Sequence, residues 1–124
     1  MARLDESPLR IDGRRVLVVE DEFLIAMELA AGLEAAGATV LGPTPSVTAA
    51  LAMLERAAEL DGAVLDVNVR GETVFPVAQV LEERRVPFVF ATGYDALALP
   101  GRYAGVPCCQ KPVDVRQLLR LLFL

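Results

Sequence analysis

The feature that most constrains this chain is a set of short, continuous apolar runs that each end in polar residues. Val16-Leu17-Val18-Val19 is rich in β-branched residues, does not alternate with polar ones, and closes on Glu20-Asp21. Such a run fits a strand buried on both faces, as in a parallel sheet, better than one with a solvated face. Three similar runs follow. Ala63-Val64-Leu65 closes on Asp66, Phe88-Val89-Phe90-Ala91 on Thr92, and Val106 to Cys109 on Gln110-Lys111. A weaker strand spans Thr39 to Gly42.

Helical spacing fills the intervals. It predicts a helix from about Glu22 to Ala36, its apolar stripe formed by Phe23, Ala26, Met27, Leu29, Ala30 and Leu33 and its stop by Gly37. After Pro43 and Pro45, Ser46 stands at an N-cap position ahead of a second helix through Leu51, Leu54 and Ala58. A third is expected from about Val74 to Arg84, with Pro76 in its first turn, and the tail from Val113 to Leu124 repeats apolar residues at helical spacing. Regular alternation of five strands with helices calls for right-handed crossovers, so the expected fold class is α/β, a doubly wound five-stranded parallel sheet. The link from Gly93 to Gly105 carries Pro100-Gly101 in mid-segment, so the fourth helix is expected to be shortened or irregular. Residues 1–13 read as a flexible leader, and residues 14–124 as a single domain.

Composition removes several function classes. The chain has no histidine, which excludes Ser-His and Cys-His catalysis and His-ligated metals. With 17 acidic against 12 basic residues it offers no net positive field for a phosphate backbone, and nucleic acid is not expected as a direct partner. Cys108 and Cys109 are adjacent and point to opposite faces of an extended backbone, so they form no disulfide framework, and Cys108 is expected to be a buried, inert thiol. No export signal or membrane-spanning run is present, which makes a cytoplasmic location the expectation. Eleven of the 12 basic residues are arginine, and the single lysine is Lys111.

In open parallel sheets, ligands bind beyond the carboxyl ends of the strands. Glu20 and Asp21, Asp66, Thr92 and Lys111 all fall at such ends. Three carboxylates in one crevice repel one another unless a cation neutralises them, which implies a divalent metal with oxygen ligands, Mg²⁺ fitting best. A carboxylate beside Mg²⁺ can attack phosphorus and form an aspartyl phosphate, Asp66 being the candidate. Lys111 would neutralise phosphoryl oxygens and the Thr92 hydroxyl would donate to another. Taken singly, each residue has a plainer reading as a cap, a strand residue or a surface charge. Their coincidence at one sheet edge favours the chemical one.

Val16-Leu17-Val18-Val19-Glu20-Asp21-Glu22, Leu65-Asp66-Val67-Asn68, Ala91-Thr92-Gly93 and Lys111-Pro112, in this order, resemble the receiver domain of two-component response regulators over residues 14–124. The resemblance implies a flavodoxin-like (CheY-like) fold with strand order 2-1-3-4-5. It implies Asp66 as phosphoacceptor, Mg²⁺ held by Asp21 and Asp66 directly, by Glu20 through water and by the Asn68 backbone carbonyl, and phosphoryl contacts from Thr92 and Lys111. Lys111-Pro112 would be a cis peptide. Phe90-Ala91-Thr92-Gly93-Tyr94 further resembles a subgroup of mostly stand-alone receivers that work with kinases of the HWE or related histidine-kinase class.

One departure stands out. Where most receivers carry Tyr or Phe three residues before the lysine, this chain has Cys108, so the signal is expected to travel through the Tyr94–Gly105 link, with Tyr94 either a surrogate aromatic switch or a packing residue. The implied function is that of a phosphoacceptor module rather than an enzyme. It takes a phosphoryl group from a histidine kinase or histidine phosphotransfer protein and then changes a surface read by a downstream protein, or relays the phosphate onward. Two alternatives are a scaffold that is never phosphorylated and a haloacid-dehalogenase-type phosphohydrolase; the latter lacks the second Asp that its motif needs where Asn68 stands. The leucine-rich tail, Leu118 to Leu124, is mostly core packing by this reading, with a homodimer face or contact with a further domain left open.

Overall fold

The structure, a computed structural model, describes residues 10–93 and 99–123. In chain order it holds β1 (Arg15–Val19), α1 (Phe23–Ala35), β2 (Thr39–Thr44), α2 (Val47–Arg56) and β3 (Gly62–Asp66). A small hairpin follows, β4 (Asn68–Val69) and β5 (Glu72–Thr73), then α3 (Phe75–Glu83), β6 (Phe88–Thr92), a 3₁₀ turn (Gly101–Tyr103), β7 (Cys108–Gln110) and α4 (Val115–Phe123). The main sheet is parallel throughout and ordered β2-β1-β3-β6-β7. Counting only its own five strands, this is the expected 2-1-3-4-5 order of the flavodoxin-like fold.

The continuous apolar runs are explained by two cores. Leu17, Val19, Ala63, Leu65, Phe88 and Phe90 face α2 and α3, where they meet Leu54, Val77 and Leu81. The residues between them, Val16, Val18, Val64, Val89 and Ala91, face α1 and α4, where they meet Leu29, Leu33, Leu118 and Leu122. A strand in the middle of such a sandwich has no solvated side, so polar residues are admitted only at its ends.

Helix termini follow local chemistry. Ser46 caps α2 by accepting a hydrogen bond from the Ala49 N–H (3.1 Å), and Pro76 occupies the first turn of α3, where its missing N–H costs nothing. The described residues 99–107 of the link before β7 contain only a 3₁₀ turn, in keeping with the Pro100-Gly101 signal. Tyr94 lies outside the described residues.

Three expectations need revision. Phe23 and Met27 do not belong to the buried stripe of α1: they are 73% and 49% exposed, and Leu24 beside them is 75% exposed. The helix is apolar around most of its circumference, so composition could not orient it; Ala26, Leu29, Ala30 and Leu33 take the core. Cys108 is exposed, because β7 is an edge strand whose alternate residues face outward, and Cys109 alone enters the core. Residues 10–13, read as leader, are seated on the domain. The Ile11 side chain is buried in the α1/α4 core, its N–H donates to the Ala36 carbonyl (2.8 Å), and the Gly13 N–H donates to Gly37 (2.9 Å).

Candidate functional site

β1, β3 and β6 pair in register, so their carboxyl ends line up and deliver Glu20, Asp21, Asp66 and Thr92 to one edge. Glu20, Asp66 and Thr92 are buried, and Asp21 is half-buried. One carboxylate oxygen from each of Glu20, Asp21 and Asp66 lies within 4.8 Å of the others. Lys111 reaches this cluster from the end of β7, whose last turn is tied to β6 by the Lys111 N–H donating to the Thr92 carbonyl (2.8 Å). Its ammonium sits 2.9 Å from Glu20 Oε1 and donates to Asp66 Oδ2 at 3.0 Å. The Lys111-Pro112 bond is cis, as the resemblance implied.

Main-chain donors complete the arrangement. The Glu22 N–H donates to Glu20 Oε2 (3.1 Å), the Asn68 N–H to Asp66 Oδ1 (3.3 Å) and the Arg70 N–H to Asp21 Oδ2 (2.9 Å). Each carboxylate is thus held by a backbone amide. The Thr92 hydroxyl is not bonded to Asp66; it donates to the Gly93 carbonyl (3.2 Å). Glu22 and Arg70 were not among the candidates from sequence, because a backbone N–H leaves no signature in residue type.

The electrostatics show one sign. Burial, with repulsion from Asp66, raises the Glu20 pKa above its ordinary value, although Lys111 and the Glu22 N–H oppose this. Burial alone would lower the Lys111 pKa, but its hydrogen bonds to Glu20 and Asp66 and their charges outweigh that and raise it. Both shifts run upward for different reasons, Glu20 because burial disfavours its charged form and Lys111 because its two carboxylate partners favour its charged form. The donor set consists of hard oxygens around a site already occupied by one cationic side chain, which fits Mg²⁺.

No family model and no curated protein matches the chain. Among solved structures, SdrG from Sphingomonas melonis Fr1 is 38% identical over 95% of this chain and 99% of its own, with a TM-score of 0.72. The BeF3-activated conformation of SdrG from Pseudomonas melonis Fr1 is 40% identical over 89% of this chain and 96% of its own, at 0.74. A response regulator receiver protein from Sinorhizobium medicae WSM419 is 25% identical over 89% of this chain and 91% of its own, at 0.75. With the ordered carboxylates, the strand order and this similarity in hand, the chain belongs to the receiver domains of two-component response regulators.

Proposed function

We propose that the chain is a phosphorylation-controlled interaction module in which Asp66 accepts a phosphoryl group from a phosphohistidine on a kinase or phosphotransfer protein. The observation that carries this reading is the Asp66 carboxylate at the end of β3, buried among two other carboxylates and paired with the only lysine. An Asp66 oxygen attacks phosphorus and the phosphorus–nitrogen bond to the partner imidazole breaks, its electron pair staying on that nitrogen, which takes up a proton from solvent. Asp21, Asp66, the Asn68 carbonyl and Glu20 would hold Mg²⁺, and the cation when bound would supply charge neutralisation for the transferring group. Lys111 leaves Asp66 Oδ2 for a phosphoryl oxygen, and the Thr92 hydroxyl turns from the Gly93 carbonyl to donate to another. Water later cleaves the acyl phosphate. The module turns over no external substrate, and its product is a changed surface, so it is a signalling protein rather than an enzyme.

Phe23, Leu24 and Met27 form an exposed apolar strip at the start of α1, directly after Glu20-Asp21-Glu22. Apolar side chains clustered beside a reactive carboxylate suit a partner helix that must bring its phosphohistidine to Asp66. No described helix is long and apolar enough to cross a membrane, and we place the module in the cytoplasm with its kinase.

Intact-mass analysis after incubation with Mg²⁺ and acetyl phosphate tests the reading. A phosphoryl adduct that needs Mg²⁺ and vanishes in Asp66→Asn is expected. A chain that takes no adduct and whose NMR spectrum is unchanged by beryllofluoride would be a phosphorylation-independent scaffold instead.

A further inference from the structure

We propose that Arg70 is a positioning residue for the metal site, acting through its backbone N–H on Asp21. The inference rests on the reading of the carboxylate cluster as an Mg²⁺ site. Its observation is the hairpin after the phosphoacceptor strand, in which Asn68 pairs with Thr73 and Val69 with Glu72. Only Arg70 and Gly71 connect the two strands, with φ of 53° and 80°. Two successive positive φ values are what the type I′ form of a two-residue hairpin turn requires, and an arginine in the first position is uncommon. The turn is held from below. Val69 is fully buried in the α2/α3 core, and the Val74 N–H closes the hairpin base on the Val67 carbonyl (2.9 Å).

The consequence lies across the site. The tip aims the Arg70 N–H at Asp21 Oδ2 (2.9 Å), and this is the only hydrogen bond Asp21 makes among the described residues. Asp21 stands in the irregular segment between β1 and α1, with no ladder partner to fix it. The same hairpin carries Asn68, whose carbonyl is assigned to the metal. One element therefore restrains donors from two distant segments, so the ordering cost is met before the cation arrives.

The test uses the full chain. Arg70→Pro deletes the N–H and cannot adopt a positive φ, whereas Arg70→Gly is the conservative variant that keeps both. Isothermal titration with Mg²⁺ should show affinity retained in Arg70→Gly and reduced about tenfold or more in Arg70→Pro, the loss typical when a group orienting a metal ligand is removed. A second measurement needs no change in the hairpin. In the metal-free parent the Arg70 amide should be protected from hydrogen exchange, and Asp21→Ala should abolish that protection while the core amides keep theirs. Equal Mg²⁺ affinity in Arg70→Pro and Arg70→Gly, or an unprotected Arg70 amide in the parent, overturns the proposal. A parent chain that binds no Mg²⁺ overturns the metal reading, and this inference with it.

Discussion

The Lys111 ammonium stands 3.0 Å from Asp66 Oδ2, so the side chain proposed to bind the phosphoryl group is here the counter-ion of the proposed phosphoacceptor. It also bonds Glu20, and so occupies charge that a metal would otherwise use. Lys111→Met should therefore bind Mg²⁺ severalfold more tightly by calorimetry, since a unit positive charge a few ångströms from the cation has gone. The same variant should lose most of its NMR response to beryllofluoride in the presence of Mg²⁺. Unchanged Mg²⁺ affinity together with a full beryllofluoride response would remove both roles from Lys111.

The shifts at this site set a pH dependence. Glu20 has a raised pKa, so protons compete with Mg²⁺ at a higher pH than at an ordinary carboxylate, and the apparent affinity should begin to fall above pH 4.5 as the solution is acidified. For Lys111 the folded pKa lies above the ordinary 10.5. Its contribution to stability is complete below that value and is lost as pH rises from there through the folded pKa. In denaturant titrations, the difference in stability between the parent and Lys111→Met should shrink as pH is raised past 10.5. A difference that is constant with pH would show that Lys111 stabilises by packing alone.

These residues were legible in the sequence because they obey a strong rule. A strand buried on both faces can carry Glu20, Asp66 or Thr92 only at its end, and the parallel sheet sends those ends to one edge. What could not be read depended on packing choices that several patterns satisfy equally. Helix α1 is apolar nearly all round, so the sequence does not say that Leu29 turns inward and Phe23 outward. Cys108 and Cys109 are chemically identical neighbours, and only the edge position of β7 decides which is exposed. The Asn68–Thr73 hairpin has strands of two residues with no apolar alternation, and its tip acts through main-chain atoms. Gly71 between Val69 and Glu72 was the available signal, without the usual Asn or Asp before it.

The cysteines provide a check on β7. Cys108 is exposed and Cys109 is 1% exposed, and burial raises the pKa of both thiols above the ordinary value. Treatment of the native protein with iodoacetamide near neutral pH should add one group, slowly for a surface thiol because the thiolate is scarce. Cys108→Ser should abolish the addition. An adduct on Cys109 in the folded protein would place the wrong face of β7 toward the core.

Gly32 tests the contact between α1 and α4. A Cβ there would lie 2.7 Å from Val115 Cγ2, a β-branched side chain with little rotamer freedom. Replacing a mid-helix glycine by alanine ordinarily gains about 1 kcal/mol. Here the clash should cancel that gain and leave Gly32→Ala no more stable than the parent. Once the obstruction is removed, Gly32→Ala in a Val115→Ala background should recover about 1 kcal/mol relative to Val115→Ala alone. Additivity of the two changes would mean that the helices do not meet at this point.

The link before β7 is fastened by an aromatic side chain rather than by its ion pair. Tyr103 is 2% exposed and stacks on Phe75 with ring centroids 5.0 Å apart, while Phe90 meets it edge-on at 5.6 Å. Arg102, next in the turn, lies over the same ring at 5.1 Å and pairs with Glu82 at 2.9 Å, but both of those charged side chains are solvent-exposed. An exposed pair contributes roughly 0–1 kcal/mol, whereas truncating a buried aromatic costs about 3–5 kcal/mol. Tyr103→Ala should therefore destabilise the chain by several kcal/mol in urea titrations, and Arg102→Ala by less than about 1 kcal/mol. Phe90 lies two residues before Thr92, so the stack connects the link to the strand that ends in the candidate-site threonine. Tyr103→Leu keeps an apolar side chain in the core but no ring on Phe75, and beryllofluoride should then shift amide resonances around Thr92 without the accompanying shifts in residues 99–107. Full shifts in both regions would show that the link reads the site by another route.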